Sequence, residues 1–193
     1  MVSGETVPQE RVLARTYLDS SLKDIETLIR SPIHEERLLG LIIFVKQFQR
    51  AKEETDQKKM VEVYLRLVHE GYVNNWDLVD TSAYHMLGAY LFPRPTDVLD
   101  ALARSSLLWE RRVAMVATYY FIQRGESKVA LRIAKRLLHD SHDLIQKAVG
   151  WMLREIGKRC SVEELEEFLQ EHYKTMPRTA LRYAIERLPE ARR

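Results

Sequence analysis

The chain has 193 residues, 46% of them hydrophobic and 30% charged, with a net charge of +2. That is enough chain for one domain with a substantial core, and the balance is ordinary for a water-soluble globular protein. One cysteine, Cys160, excludes an intrachain disulfide and suits a reducing compartment.

The opening stretch, "MVSGETVPQERVLARTYLDSS", has no apolar run of signal length, and no later segment stays apolar for about 18 residues. The expected location is cytoplasmic, with no membrane association. Ser31-Pro32, followed by Glu35 and Glu36, predicts a capped helix start with proline at the first helical position. In "ERLLGLIIFVKQF", Leu38, Leu41, Ile42, Val45 and Phe48 fall on one face of that helix. "QRAKEETDQKK" (49–59) reads as a charged linker or an exposed helix, without chemistry.

"NNWDLVDTSAYHMLG" (74–88) places Trp76 and Asp80 four residues apart, on one helical face. "LFPRPTD" (91–97) is punctuation. "LWERRVA" then sets Arg111 and Arg112 directly before a core stretch with Val113, Val116, Ala117 and Tyr120 on one face. After "RGE" (124–126), the run "HDSHD" (139–143) offers His139 and His142 at a spacing that could serve a metal. It lies across a helix start with no partner cluster elsewhere, so a capping turn is the preferred reading and no metal site is expected. "LIQKAVGWMLREIGK" sets Ile145, Ala148, Met152 and Ile156 on one face, and its stretch "QKAVGWMLRE" carries Gly150 and Trp151 in mid-helix. That glycine costs about 1 kcal/mol against alanine, which suggests that something approaches closely there. Pro177 opens the last helix, and "LPE" (188–190) closes it.

No alternating run demands a strand, so the fold class is all-α. The better-marked helices start near Ser31, Asn75, Ser106, Ser141 and Met176, and after one longer gap they recur at 31, 35 and 35 residues. Paired helices at that period predict an α-solenoid of HEAT-like repeats, in which each pair buries its face only against its neighbours. Residues 1–100 carry a net −4 and residues 101–193 a net +6, which fits a one-sided basic footprint or solvated faces that lean basic.

Trp76, Asp80, Arg111, Arg112 and Trp151 each also read as plain structure: a core tryptophan, a dipole partner, a solvated arginine face. Together, "SPIHEERLLGL", "NNWDLVD", "LWERRVA", "QKAVGWMLRE" and "MPRTALRYAIERLPE" resemble the DNA alkylation repair glycosylases of the AlkD type, from about Asp19 to Pro189. The resemblance implies HEAT-like repeats with a basic concave face that binds duplex DNA, and excision of purines alkylated at N3 or N7. It places the catalytic aspartate at Asp80, cleft tryptophans at Trp76 and Trp151, and a cleft arginine at Arg112, which would grip a phosphate near the lesion. It implies attack from the backbone side without base flipping, and no cofactor.

Candidate phosphate contacts are Arg111, Lys147, Arg154, Lys158, Arg178 and Arg182. The chain reads as a single domain over 1–193, shortened before Ser31 relative to the family, and a solenoid of this size can stand as a monomer. The competing reading is a non-catalytic HEAT-like module that binds DNA or another protein. Convergence of the two tryptophans, Asp80 and Arg112 on one cleft discriminates between the two.

Overall fold

The computed structural model describes residues 17–92 and 94–190, all helix, turn and loop with no strand among them. The sequence before Tyr17, part of the expected shortened beginning, lies outside the described residues. The helices are α1 (Leu22–Ile29), α2 (His34–Arg50), α3 (Glu54–His69) and α4 (Trp76–Ala83). α4 runs on through a π-helical turn (Tyr84–Gly88) into a last α turn (Ala89–Leu91). Then come α5 (Asp97–Ala103), α6 (Leu108–Ala117, continued as Tyr119–Ile122), α7 (Lys128–Leu137), α8 (Asp143–Arg159), α9 (Val162–His172) and α10 (Arg178–Ala184).

Local chemistry sets these boundaries. Ser21 and Ser161 accept from the backbone N–H of Asp24 and Glu164, the serine N-cap bond that closes a helix N-terminus. Asn75 accepts from the N–H of Trp76 and starts α4. One expected cap is corrected. Ser31 sits two residues too early: its Oγ accepts from the N–H of Ile33 and donates to Glu36, so it shapes the turn while α2 begins at His34. Ser141 precedes α8 as expected, and His142 caps that helix, its Nδ1 accepting from the N–H of Leu144, while Asp140 accepts from the N–H of His142. "HDSHD" is therefore a capping turn.

The even-numbered helices stack in chain order, α2 on α4, α4 on α6, α6 on α8 and α8 on α10, with the odd-numbered helices outside them. This is the α-solenoid of helical pairs. The anticipated apolar faces are its core: Leu38, Leu41 and Phe48 of α2, Val113 and Val116 of α6, and Ile145, Met152 and Ile156 of α8 are all buried.

Close stacking explains the mid-helix glycine. A Cβ on Gly150 would run into the backbone carbonyl of Ala180 and the Cβ of Tyr183, both on α10. Gly88 meets the carbonyl of Ala117 on α6 in the same way. What approaches Gly150 is thus the next inner helix. Gly150→Ala gains about 1 kcal/mol of helix propensity, but it forces a rigid backbone carbonyl aside, an overpacking cost of about 1–3 kcal/mol. A net loss of stability is expected in denaturant unfolding; an unchanged or raised midpoint would contradict this account of the α8–α10 contact.

Candidate active site

Four inner helices, α4, α6, α8 and α10, line a common cleft. Trp76 is the first residue of α4 and stays 54% exposed, unusual for the largest apolar side chain. One turn on, Asp80 faces the same way. The Arg112 side chain on α6 is only 5% exposed and aims its fork at that carboxylate: Nε donates to Oδ1 at 3.1 Å and Nη2 to Oδ2 at 2.8 Å. The remaining arm, Nη1, donates to the Leu144 carbonyl in the first turn of α8 at 2.6 Å. A single guanidinium therefore ties α4, α6 and α8 together, in the bidentate geometry that suits arginine and not lysine.

The structure places Arg112 against the acid: three of its hydrogen bonds go to Asp80 and Leu144, and the residue is buried. Arg111 turns elsewhere. Its Nε donates to Asp140 at 2.6 Å and its Nη1 to the carbonyls of Ser105 and Ser106, which makes it a tether between α6 and the turn before α8.

Burial pushes the Asp80 carboxyl above the ordinary aspartate range. Arg112 opposes this by hydrogen bond and charge, and the neighbouring Asp77 adds a smaller upward push. Asp77 is itself held by His34 of α2, Nε2 to Oδ2 at 2.7 Å. Behind α4 the buried Tyr64 hydroxyl meets Ser82 Oγ at 2.9 Å, and Ser82 in turn donates to the Leu78 carbonyl. α4 is thus pinned from α2 through Asp77, from α3 through Ser82 and from α6 through Asp80.

Trp151 is braced from below by aromatic contacts. Its ring lies 5.7 Å from that of Tyr119, which meets Tyr84 edge-on at 5.3 Å. The Arg159 guanidinium covers Tyr119 and is anchored by the buried Glu155. Tyr84 belongs to the π-helical turn, a feature frequent at functional sites.

Trp76, Asp80, Arg112 and Trp151 line one cleft of about 400 Å³, together with Leu144, Lys147, Arg154 and Tyr183. The four residues singled out in the sequence are brought together. Of the expected phosphate contacts, Lys147 and Arg154 border this cleft, Lys147 paired with Asp143 and Arg154 with Glu186 and Glu155. Lys158 borders the neighbouring cleft that Arg154 shares. Arg178 and Arg182 are exposed on α10, with Arg182 near the Tyr183 ring. Tyr183 was missed, although it sits inside the closing motif "MPRTALRYAIERLPE". A larger groove between α9 and α10, about 560 Å³, is lined mainly by apolar residues such as Leu169, Leu181 and Leu188 and holds no such acid–base pair.

Over residues 2–188 the sequence matches the profile of a family described as DNA alkylation repair enzymes. The chain belongs to that family. Among solved structures, a predicted DNA alkylation repair enzyme from Enterococcus faecalis is similar with a TM-score of 0.73 at 19% identity, over 97% of this chain and 88% of that one. AlkD2 from Streptococcus mutans gives a TM-score of 0.66 at 18% identity, over 96% of this chain and 92% of its own. The protein smu.31 from Streptococcus mutans UA159 gives 0.63 at 19%, over 92% and 89%. The comparison with curated proteins gives no match. The DNA alkylation repair assignment makes DNA the substrate. Among the described residues, no group of three or more His, Cys, Asp or Glu is placed to hold a metal ion, and no helix is long and apolar enough to cross a membrane.

Proposed function

We propose that this DNA alkylation repair enzyme is a monofunctional glycosylase. It hydrolyses the N-glycosidic bond of cationic N3- and N7-alkylated purines, such as 3-methyladenine and 7-methylguanine, in duplex DNA. The carrying observation is a single carboxylate, Asp80, held by a buried guanidinium on the wall of a cleft that also presents two tryptophans.

One acid suffices because of the substrate's charge. A purine alkylated at N3 or N7 is already cationic and leaves as a neutral base, so no general acid is required. Ordinary glycoside hydrolysis, by contrast, uses two carboxylates. Positive charge builds at C1′ as the bond breaks, and the ionised Asp80 faces it and orients the attacking water. A fixed charge aimed at developing charge is worth about 3–4 kcal/mol, or 10²–10³ in rate. Trp76 and Trp151 offer ring faces to the cationic nucleotide, each worth about 0.5–2 kcal/mol. They also exclude water, which strengthens the field of Asp80. Arg112 acts through Asp80 as a positioning residue. Lys147 and Arg154 exchange their carboxylate partners for backbone phosphates when DNA binds.

The base stays in the stack, and selectivity comes from the lability of the cationic nucleotide instead of a base pocket of the kind that base-flipping enzymes use. The enzyme works as a monomer in the cytoplasm, as a single domain, without metal or cofactor. The test is direct. Methylated duplex DNA incubated with the protein is expected to yield free 7-methylguanine and to leave abasic sites. Duplex that stays intact while still bound in a salt-sensitive way sinks the glycosylase reading and leaves a binding module.

A further inference from the structure

Trp76 and Asp80 form a ridge between two clefts. On the far side from Lys147 lies a second cleft of about 660 Å³, lined by α2 and the end of α4, with Lys46, Gln49, Thr81 and Tyr84 in its wall. Lys46 and Gln49 also border a third cleft of about 360 Å³, where Arg50 joins them. The groove through Asp80 therefore continues onto α2, in the half of the chain whose net charge is negative.

The cations there differ from those beside Trp151. Lys147 and Arg154 each have carboxylate partners. Lys46 is half-buried, and neither it nor Arg50 makes an ion pair among the described residues. Asp77 and Asp80 line the same cleft, and neither closes an ion pair with Lys46, so an incoming anion can take the ammonium as its partner. Lys46 and Arg50 lie four residues apart on one helix, so both side chains follow the groove. Gln49, whose Nε2 meets His85 Nδ1 at 3.2 Å, and Thr81 border the same wall.

We propose that Lys46 and Arg50 form a second phosphate clamp, which holds the backbone of duplex DNA on the α2 side of Asp80. This rests on the DNA reading above and adds to it a grip in the N-terminal half. With Lys147 and Arg154 on one side and Lys46 and Arg50 on the other, the backbone is fixed at both ends of the segment that crosses Asp80.

The test is the affinity of the full chain for an undamaged duplex as a function of salt. Each lost phosphate contact should lower the slope of log K against log salt by about 0.9. Lys46→Gln is expected to lower it by about one, and Lys46→Gln with Arg50→Gln by about two. Lys46→Arg should restore the wild-type slope. Lys58→Gln, on the outer helix α3, should leave it unchanged. With methylated duplex, Lys46→Gln should raise KM while the saturating rate stays at the wild-type value. An unchanged slope in Lys46→Gln overturns the clamp. So does a fallen saturating rate at unchanged affinity, which moves Lys46 into the chemistry. If the wild type itself binds no duplex, the DNA reading falls and the clamp with it.

Discussion

Asp80→Asn is expected to slow release of 7-methylguanine from methylated duplex by about 10²–10³, with duplex affinity retained. The amide keeps the size of the carboxylate and can still accept one bond from Arg112, so the fold has little reason to change. The negative charge opposite C1′ is what disappears. The measurement is a single-turnover rate at saturating enzyme, which separates chemistry from binding. A drop below about fivefold would mean that the tryptophan cleft and the lability of the substrate do most of the work. Loss of binding and rate together would instead place Asp80 in DNA recognition.

Arg112→Met should have the second large effect, on stability and on pH dependence together. Removing one partner of a buried pair leaves the other charge uncompensated, at a cost of about 3–5 kcal/mol. The Asp80 side chain is 20% exposed, so the lower end, about 3 kcal/mol, is the expected loss in denaturant unfolding at neutral pH. The sign with pH follows from the direction of the Asp80 shift. Its folded pKa already lies above the unfolded one, because burial disfavours the charged form. Such a group adds stability that is fully present below the unfolded pKa and is lost as pH rises through the folded pKa. Without Arg112 the folded pKa rises further. The variant should therefore lie closest to wild type in acid and fall away as pH increases. In activity, the acid limb set by ionisation of Asp80 should move to higher pH. Asp80→Asn combined with Arg112→Met should recover part of the lost stability, because no uncompensated charge remains. Equal stability of wild type and Arg112→Met at neutral pH would show that the pair does not hold the site.

How much of this was legible in the sequence varied with the reach of the interaction. The apolar faces of α2, α6 and α8 follow from helical spacing alone, and every residue named for them is buried apart from the half-buried Tyr120. Trp76 and Asp80 share a face because four residues make roughly one turn. Gly150 signalled a close approach, though spacing could not name Ala180 as what approaches. Long-range pairing was not legible. Arg112 stood out as a cleft arginine, but a guanidinium fork fits a carboxylate and a phosphate equally well. Only the fold brings Asp80 to it, across 32 positions of sequence. Arg111 looked like its equal by adjacency, yet one step along a helix turns a side chain by about 100° and points it at Asp140 instead. Lys46 was hidden by bulk charge: an acidic half of the chain gave no reason to look there, and its importance lies in a missing partner. The π-helical turn at Tyr84–Gly88 has no signature in residue type.

The central claim is that an ionised Asp80 in the tryptophan cleft cleaves the bond to a cationic purine. The most direct test is the single-turnover rate of 7-methylguanine release from methylated duplex, for wild type and Asp80→Asn, between about pH 4 and 8. The account predicts a wild-type rate that rises along a single acid limb, centred above the ordinary aspartate range, to a plateau, and a rate for Asp80→Asn lower by about 10² or more, with that limb absent. Equal rates and the same limb in both proteins would contradict it, as would a wild-type protein that binds the duplex and releases no base at any pH.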